Sequence, residues 1–194
     1  HTGDSIHNLI HSNCGKVLLA WIRCQRKIQR KDINPMGTEI ERKFLVKEGA
    51  WRNAGAETYR QGYLSTVKER TVRVRTINDK GYLTVKGSSV GASRLEFEYE
   101  IPIADAEEML ESLCEKPLIE KNRYKLDHGG LTWEVDVFFG DNEGLIVAEA
   151  ELQSEHQAFE KPDWLGKEVT SDPRYYNANL TNNPYSNWSD SISR

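Results

Sequence analysis

The chain has 194 residues, 29% of them charged and 38% hydrophobic, with a formal net charge of −4, which suits one folded domain with a sizeable core and excludes a disordered chain. No apolar run approaches the roughly 20 residues of a membrane-spanning helix, and neither a membrane nor a nucleic acid is expected as a partner. The cysteines Cys14, Cys24 and Cys114 lie far apart in no metal-ligand spacing, a usage that fits a reducing, cytoplasmic location better than a disulfide framework.

Residues 1–35 carry six basic side chains against Asp4 and Asp32, a net +4 that leaves −8 on the remainder. Leu18, Trp21, Ile22 and Ile28 fall at helical spacing, so the segment reads either as a basic amphipathic arm or as a leader or tag-like stretch ahead of Met36. A strand signal beginning two residues after Met36 favours the second reading, with a single domain spanning 36–194. The alternation of apolar and polar residues predicts strands at 38–46, 58–65, 70–77, 81–87, 93–101, 118–127, 131–139 and 144–153. Asn78-Asp79-Lys80-Gly81, His128-Gly129-Gly130 and the Gly140–Gly144 stretch supply turns between neighbours. Ala106, Met109, Leu110 and Leu113 mark one amphipathic helix over 104–113. A helical or loop stretch follows at 155–164, and the tail from about 181 reads as loosely ordered. Largely consecutive antiparallel strands predict a mainly β fold with flanking helices (α+β), closed as an eight-stranded antiparallel β-barrel.

Side-chain parity along these strands separates two faces, because residues i and i+2 of a strand point the same way. One face collects Glu39, Glu41 and Lys43; Arg73 and Arg75; Tyr82, Thr84 and Lys86; Arg94, Glu96 and Glu98; Lys121 and Arg123; Glu134 and Asp136; Glu149 and Glu151. The other collects Ile40, Phe44, Val72, Val74, Leu83, Val85, Leu95, Phe97, Trp133, Val135, Ala148 and Leu152. An ordinary small barrel would turn the apolar face inward and solvate the charges. Here the charges come as same-sign pairs on single strands, whereas a solvated surface intersperses signs. Paired carboxylates call for a divalent cation with oxygen ligands, and paired Arg and Lys call for phosphate. Both on one face point to a metal–polyphosphate complex inside the barrel.

At this point the residues resemble a family. Glu39-Ile40-Glu41-Arg42-Lys43 is similar to the ExExK opening of the CYTH superfamily, the triphosphate tunnel metalloenzymes. Arg73-x-Arg75, Thr84-x-Lys86, Arg94-x-Glu96-x-Glu98, Lys121-x-Arg123, Glu134-x-Asp136 and Glu149-x-Glu151 follow in order. Gln61-Gly62-Tyr63-Leu64 and Asp172-Pro173-Arg174-Tyr175-Tyr176-Asn177 agree as well. The resemblance runs from Met36 to about Leu180.

The resemblance implies a charged tunnel that binds a triphosphate with Mg²⁺ or Mn²⁺, its apolar exterior covered by helices and by a second copy of the chain as a homodimer. Carried over position by position, Lys43, Arg73, Arg75, Lys86, Arg94, Lys121 and Arg123 would cradle phosphates. Glu39, Glu41, Glu134, Asp136, Glu149 and Glu151 would hold metal. Glu39, Glu41, Lys43, Glu96, Glu98, Glu149 and Glu151 would form the catalytic set, with Glu96 and Glu98 orienting water or a second metal.

The opening resembles the bacterial inorganic triphosphatase branch, which implies hydrolysis of inorganic tripolyphosphate to pyrophosphate and phosphate. A class IV-type adenylyl cyclase and a thiamine or nucleoside triphosphatase stay open, with Trp51 a candidate aromatic platform for the latter. A non-catalytic polyphosphate- or nucleotide-binding barrel is the alternative of another class. No GxxxxGK[ST] occurs, His128 and His156 read as surface residues, and Tyr175 and Tyr176 read as packing or as caps of one tunnel end.

Overall fold

A computed structural model describes residues 40–47, 49–67, 69–90, 93–154 and 156–188. The basic segment 1–35 and Glu39 lie outside the described residues. The strands are β1 (Ile40–Val46), β2 (Ala56–Ser65), β3 (Arg70–Ile77), β4 (Lys80–Val90), β5 (Ser93–Ile101), β6 (Ile119–His128), β7 (Leu131–Phe138), β8 (Ile146–Leu152) and β9 (Leu165–Glu168). They form one antiparallel sheet in the order β5-β4-β3-β2-β6-β7-β8-β1-β9.

Two-residue turns fix the register of the central hairpins. Gly129 and Gly130 join β6 to β7 with φ of 59° and 77°, the paired left-handed residues of a hairpin turn that follows strand twist. Asn78, at φ 51°, starts the turn from β3 to β4.

The apolar face packs in two patches. Phe44, Trp133, Val135, Ala148 and Ala150 gather with Trp51, Trp164 and Leu165 under β1, β7 and β8. On β2 to β4, helix α1 (Ile103–Ser112) lays Ala106 and Leu110 on Val74 and Leu83. Burying Leu110 completely contributes about 1.5–3 kcal/mol. Pro102 at the N-cap and Asp105 in the first turn set the start of α1, the carboxylate favouring the positive helix end. Glycine is required at Gly62, where an added Cβ would lie 2.6 Å from Cys114 Cβ behind α1.

The sheet differs from the sequence reading in its closure, its ninth strand and its C-terminal segment: β5 and β9 stand at its two ends without pairing to each other among the described residues, so the eight-stranded barrel is not closed by hydrogen bonds. β9 is only four residues, too short for an alternation signal, and pairs with β1. The 155–164 stretch, described from His156, is loop, one of the two forms expected of it. The tail through Trp188 is not loose: α2 (Asn177–Asn182) and a 3-10 turn over Tyr185–Asn187 bring Leu180, Tyr185 and Trp188 against Ile119, Phe138, Leu145 and Val147. Phe138 and Val147 share the parity of the charged positions, so that face becomes apolar at one end and the tail covers it. Tyr175 belongs to this packing, edge-on to Trp188, and Tyr176 is exposed. Trp51 is wholly buried against Tyr124, its Nε1 donating to Lys47 O at 3.0 Å, so it offers no platform for a ligand ring.

Candidate active site

The ladders place the charged residues on one continuous face. Across β1 and β8, Glu41 stands opposite Glu151 and Lys43 opposite Glu149. Glu149 stands opposite Glu134 on β7, and Asp136 opposite Arg123 on β6. On the other side of β2, Arg73 faces Thr84 and Arg75 faces Tyr82, while Thr84 faces Glu98 and Lys86 faces Glu96. Arg94 lies on β5 opposite Ser89.

These side chains are organised as two ionic groups. In the first, Asp136 is fully buried between Lys121 and Arg123, accepting from Arg123 Nε at 2.7 Å and Nη2 at 2.6 Å. Arg123 also reaches Glu134 and, at 3.0 Å, Glu149, whose other oxygen takes the Lys43 ammonium. Lys43 is shared with Glu41 at 2.8 Å. In the second group Glu98 accepts from Arg75 at 2.9 Å, from Thr84 at 2.9 Å and from Arg73 at 3.5 Å, and Lys86 pairs with Glu96 at 2.9 Å. The face is unusually dry for its charge: Lys121, Thr84 and Gln61 are at most 2% exposed and Lys43 and Glu149 under 10%.

Electrostatic compensation is uneven. Burial opposes ionised Glu149, but Lys43, Lys121 and Arg123 outweigh it and hold its carboxyl well below the usual range. Glu41 goes the other way: although its side chain is 44% exposed, loss of solvent around it and then the charge of Glu149 push it up to about 7, against the pull of Lys43. Like charges directly opposite on a ladder destabilise it, and the Glu41–Glu151 and Glu134–Glu149 pairs are of that kind. Their hard oxygen donors suit a cation such as Mg²⁺ or Mn²⁺. Among the described residues no three such groups converge as a ready metal cage. On the cationic side, burial and then the charge of Arg75 disfavour the charged form of Arg73. Arg73 Nε and Arg75 Nε are buried donors with no partner among the described residues, and a buried unpaired donor is costly.

The structure thus brings together Glu41, Lys43, Arg73, Arg75, Lys86, Glu96, Glu98, Lys121, Arg123, Glu134, Asp136, Glu149 and Glu151 of the expected set. Sequence reasoning left out three neighbours on the same face. Glu57 pairs with Lys125 at 2.8 Å, and the Tyr59 ring lies among three cations. Their parity with Gln61 and Arg123 was the available signal. His128, on the opposite parity of β6 from Lys121 and Arg123, lies 3.4 Å from Glu160, and His156 is exposed. Among the described residues no helix is long and apolar enough to cross a membrane.

The sequence and fold are similar to those of known proteins. A family model described as the CYTH domain matches residues 37–182. An inorganic triphosphatase of Acetivibrio thermocellus is 60% identical over 156 residues, covering 80% of this chain and 100% of that protein. An inorganic triphosphatase of Nitrosomonas europaea is 43% identical over 148 residues, covering 74% of this chain and 96% of that protein. A crystal structure of an inorganic triphosphatase superposes with a TM-score of 0.60 at 38% identity, covering 75% of this chain and 95% of that one.

Proposed function

The chain belongs to the CYTH family, and from that premise we propose that it hydrolyses inorganic tripolyphosphate to pyrophosphate and orthophosphate on the charged face of its sheet. The observation that carries the reading is the pair of buried Nε donors on Arg73 and Arg75, without partners among the described residues, standing beside Lys86 and across β2 from Lys121 and Arg123. Two cationic strands flanking one neutral strand suit a linear polyanion longer than one phosphate. The names of the two inorganic triphosphatase relatives support the same substrate.

In this reading the sheet curls until its charged face lines a tunnel. Burial of Lys43, Lys121 and Asp136 on a polar face supports that curvature, since a flat face would leave them in water. Lys43, Arg73, Arg75, Lys86, Arg94, Lys121 and Arg123 bind the phosphates. Asp136, Glu96 and Glu98 orient these cations. Glu39, Glu41, Glu134, Glu149 and Glu151 would hold Mg²⁺ or Mn²⁺, which when bound would neutralise phosphoryl charge. Lys and Arg stabilise the negative charge that moves to the pyrophosphate leaving group, so that positioning and electrostatics supply most of the acceleration. Water attacks the terminal phosphorus, its P–O bond to the bridging oxygen breaks, and one proton is released. The cytoplasm is the site of action that the sparse, widely spaced cysteines suit.

Phosphate release from tripolyphosphate with Mg²⁺, Mn²⁺ or EDTA, with ATP run alongside, tests the reading. Metal-dependent turnover favouring tripolyphosphate is expected; conversion of ATP to a cyclic product with pyrophosphate, or binding without turnover, would overturn it.

A further inference from the structure

β2 separates the two cationic strands of the face, β3 and β6, and pairs with both. Its own residues on that face are Glu57, Tyr59, Gln61 and Tyr63, none of them a cation. Tyr59 is only 4% exposed. Around the centroid of its ring lie Arg123 Cζ at 5.3 Å, Lys121 Nζ at 5.7 Å and Arg75 Cζ at 5.9 Å. Two of these cations come from β6 and one from β3, so a single ring is shared across the strand that divides them.

The carboxylates pull the other way. Arg75 is drawn toward Glu98 on β5, while Lys121 and Arg123 are drawn toward Asp136 on β7. Those partners lie on opposite sides of β2 in the strand order. Mutual repulsion adds to the separation. An aromatic face attracts cations through its quadrupole; Tyr82 on β4, 5.6 Å from Arg75 Cζ, and Phe138 on β7, 5.5 Å from Lys121 Nζ, draw outward as the carboxylates do, and the Tyr59 ring acts inward against them.

We infer that Tyr59 is a positioning residue, whose ring holds Arg75, Lys121 and Arg123 together in the spacing a triphosphate meets on binding. The inference rests on the function proposed above. A preorganised set of cations binds a polyanion without first being gathered, so losing the ring weakens binding more than it slows the chemical step. The Tyr59 hydroxyl makes one long contact, 3.4 Å to Glu57 Oε2, so the ring rather than the hydroxyl carries the effect.

The test is titration calorimetry of the full chain with inorganic tripolyphosphate in EDTA at low salt, together with KM and kcat in Mg²⁺. Tyr59→Phe should keep the Kd within about twofold, and Tyr59→Leu should weaken it about tenfold or more, with KM rising alike and kcat within about threefold. A purely structural role would instead lower kcat and the melting temperature and leave KM in place. Should Tyr59→Leu not fold, a series of increasingly fluorinated phenylalanines at 59 keeps the ring's shape while draining its face, and the Kd should weaken with each fluorine. A Tyr59→Leu chain that binds as the wild type does, a flat fluorine series, or a Tyr59→Phe chain as weak as Tyr59→Leu would each overturn the inference alone. A wild-type chain that neither binds nor hydrolyses tripolyphosphate would overturn the proposed function and this inference with it.

Discussion

Glu134 and Glu149 face each other across the β7–β8 ladder, and Arg123, reaching over from β6, binds both. One guanidinium therefore compensates two opposed carboxylates and Asp136 as well. Arg123→Met should lose about 3–5 kcal/mol of stability in urea titrations, the cost of leaving buried charges unpaired. Because the carboxylates remain, Mn²⁺ should raise the melting temperature of this variant more than that of the wild type. An equal rise in both would show that Arg123 does not stand in for a cation at these carboxylates.

Asp136 and Glu134 share one strand face, but their burial separates their roles. Asp136 has no exposed side-chain surface, whereas Glu134 is 31% exposed. Asp136→Asn should cost about 3–5 kcal/mol by leaving Lys121 short of its partner, while Glu134→Gln should cost under about 1 kcal/mol. Chemical denaturation of the two variants checks the contrast. The milder Glu134→Gln change should still blunt stabilisation by divalent cations, read as a smaller rise in melting temperature.

The two-face alternation was legible because a period of two needs no knowledge of neighbouring strands. Glu41, Lys43, Arg73, Arg75, Lys121 and Arg123 all fall on the face that their sequence parity assigns. Pairing partners were less accessible: that Asp136 would be buried between Lys121 and Arg123, while Glu134 stays partly exposed, depends on the β6–β7 register. β9 was missed because four residues carry too little alternation to register. The packed tail was missed because Leu180, Tyr185 and Trp188 are spread among Asn, Ser and Pro, a composition that reads as loop until a complementary apolar patch is known.

That packing can be measured. Trp188 is 9% exposed and sits edge-on to Tyr175 and Tyr185. Trp188→Ala should cost about 3–5 kcal/mol, as for other buried tryptophans, and should hasten proteolysis after Leu180. A tail that is cut no faster in the variant would mean that this cluster does not anchor it.

Cys114 sits behind Gly62 in the patch under α1, and burial pushes its thiol pKa up. Only the thiolate alkylates, so at neutral pH Cys114 should react with iodoacetamide more slowly than a free cysteine, its rate rising only at higher pH. Peptide mass spectrometry across a pH series separates it from Cys14 and Cys24. Urea should abolish the protection.

Hydrolysis at a terminal phosphorus of tripolyphosphate is read out by phosphorus-31 spectra of a reaction run in oxygen-18 water. Metal-dependent conversion to equal amounts of pyrophosphate and orthophosphate is expected, with the heavy oxygen in the orthophosphate. Label in the pyrophosphate, or an unchanged tripolyphosphate spectrum with metal present, would contradict it.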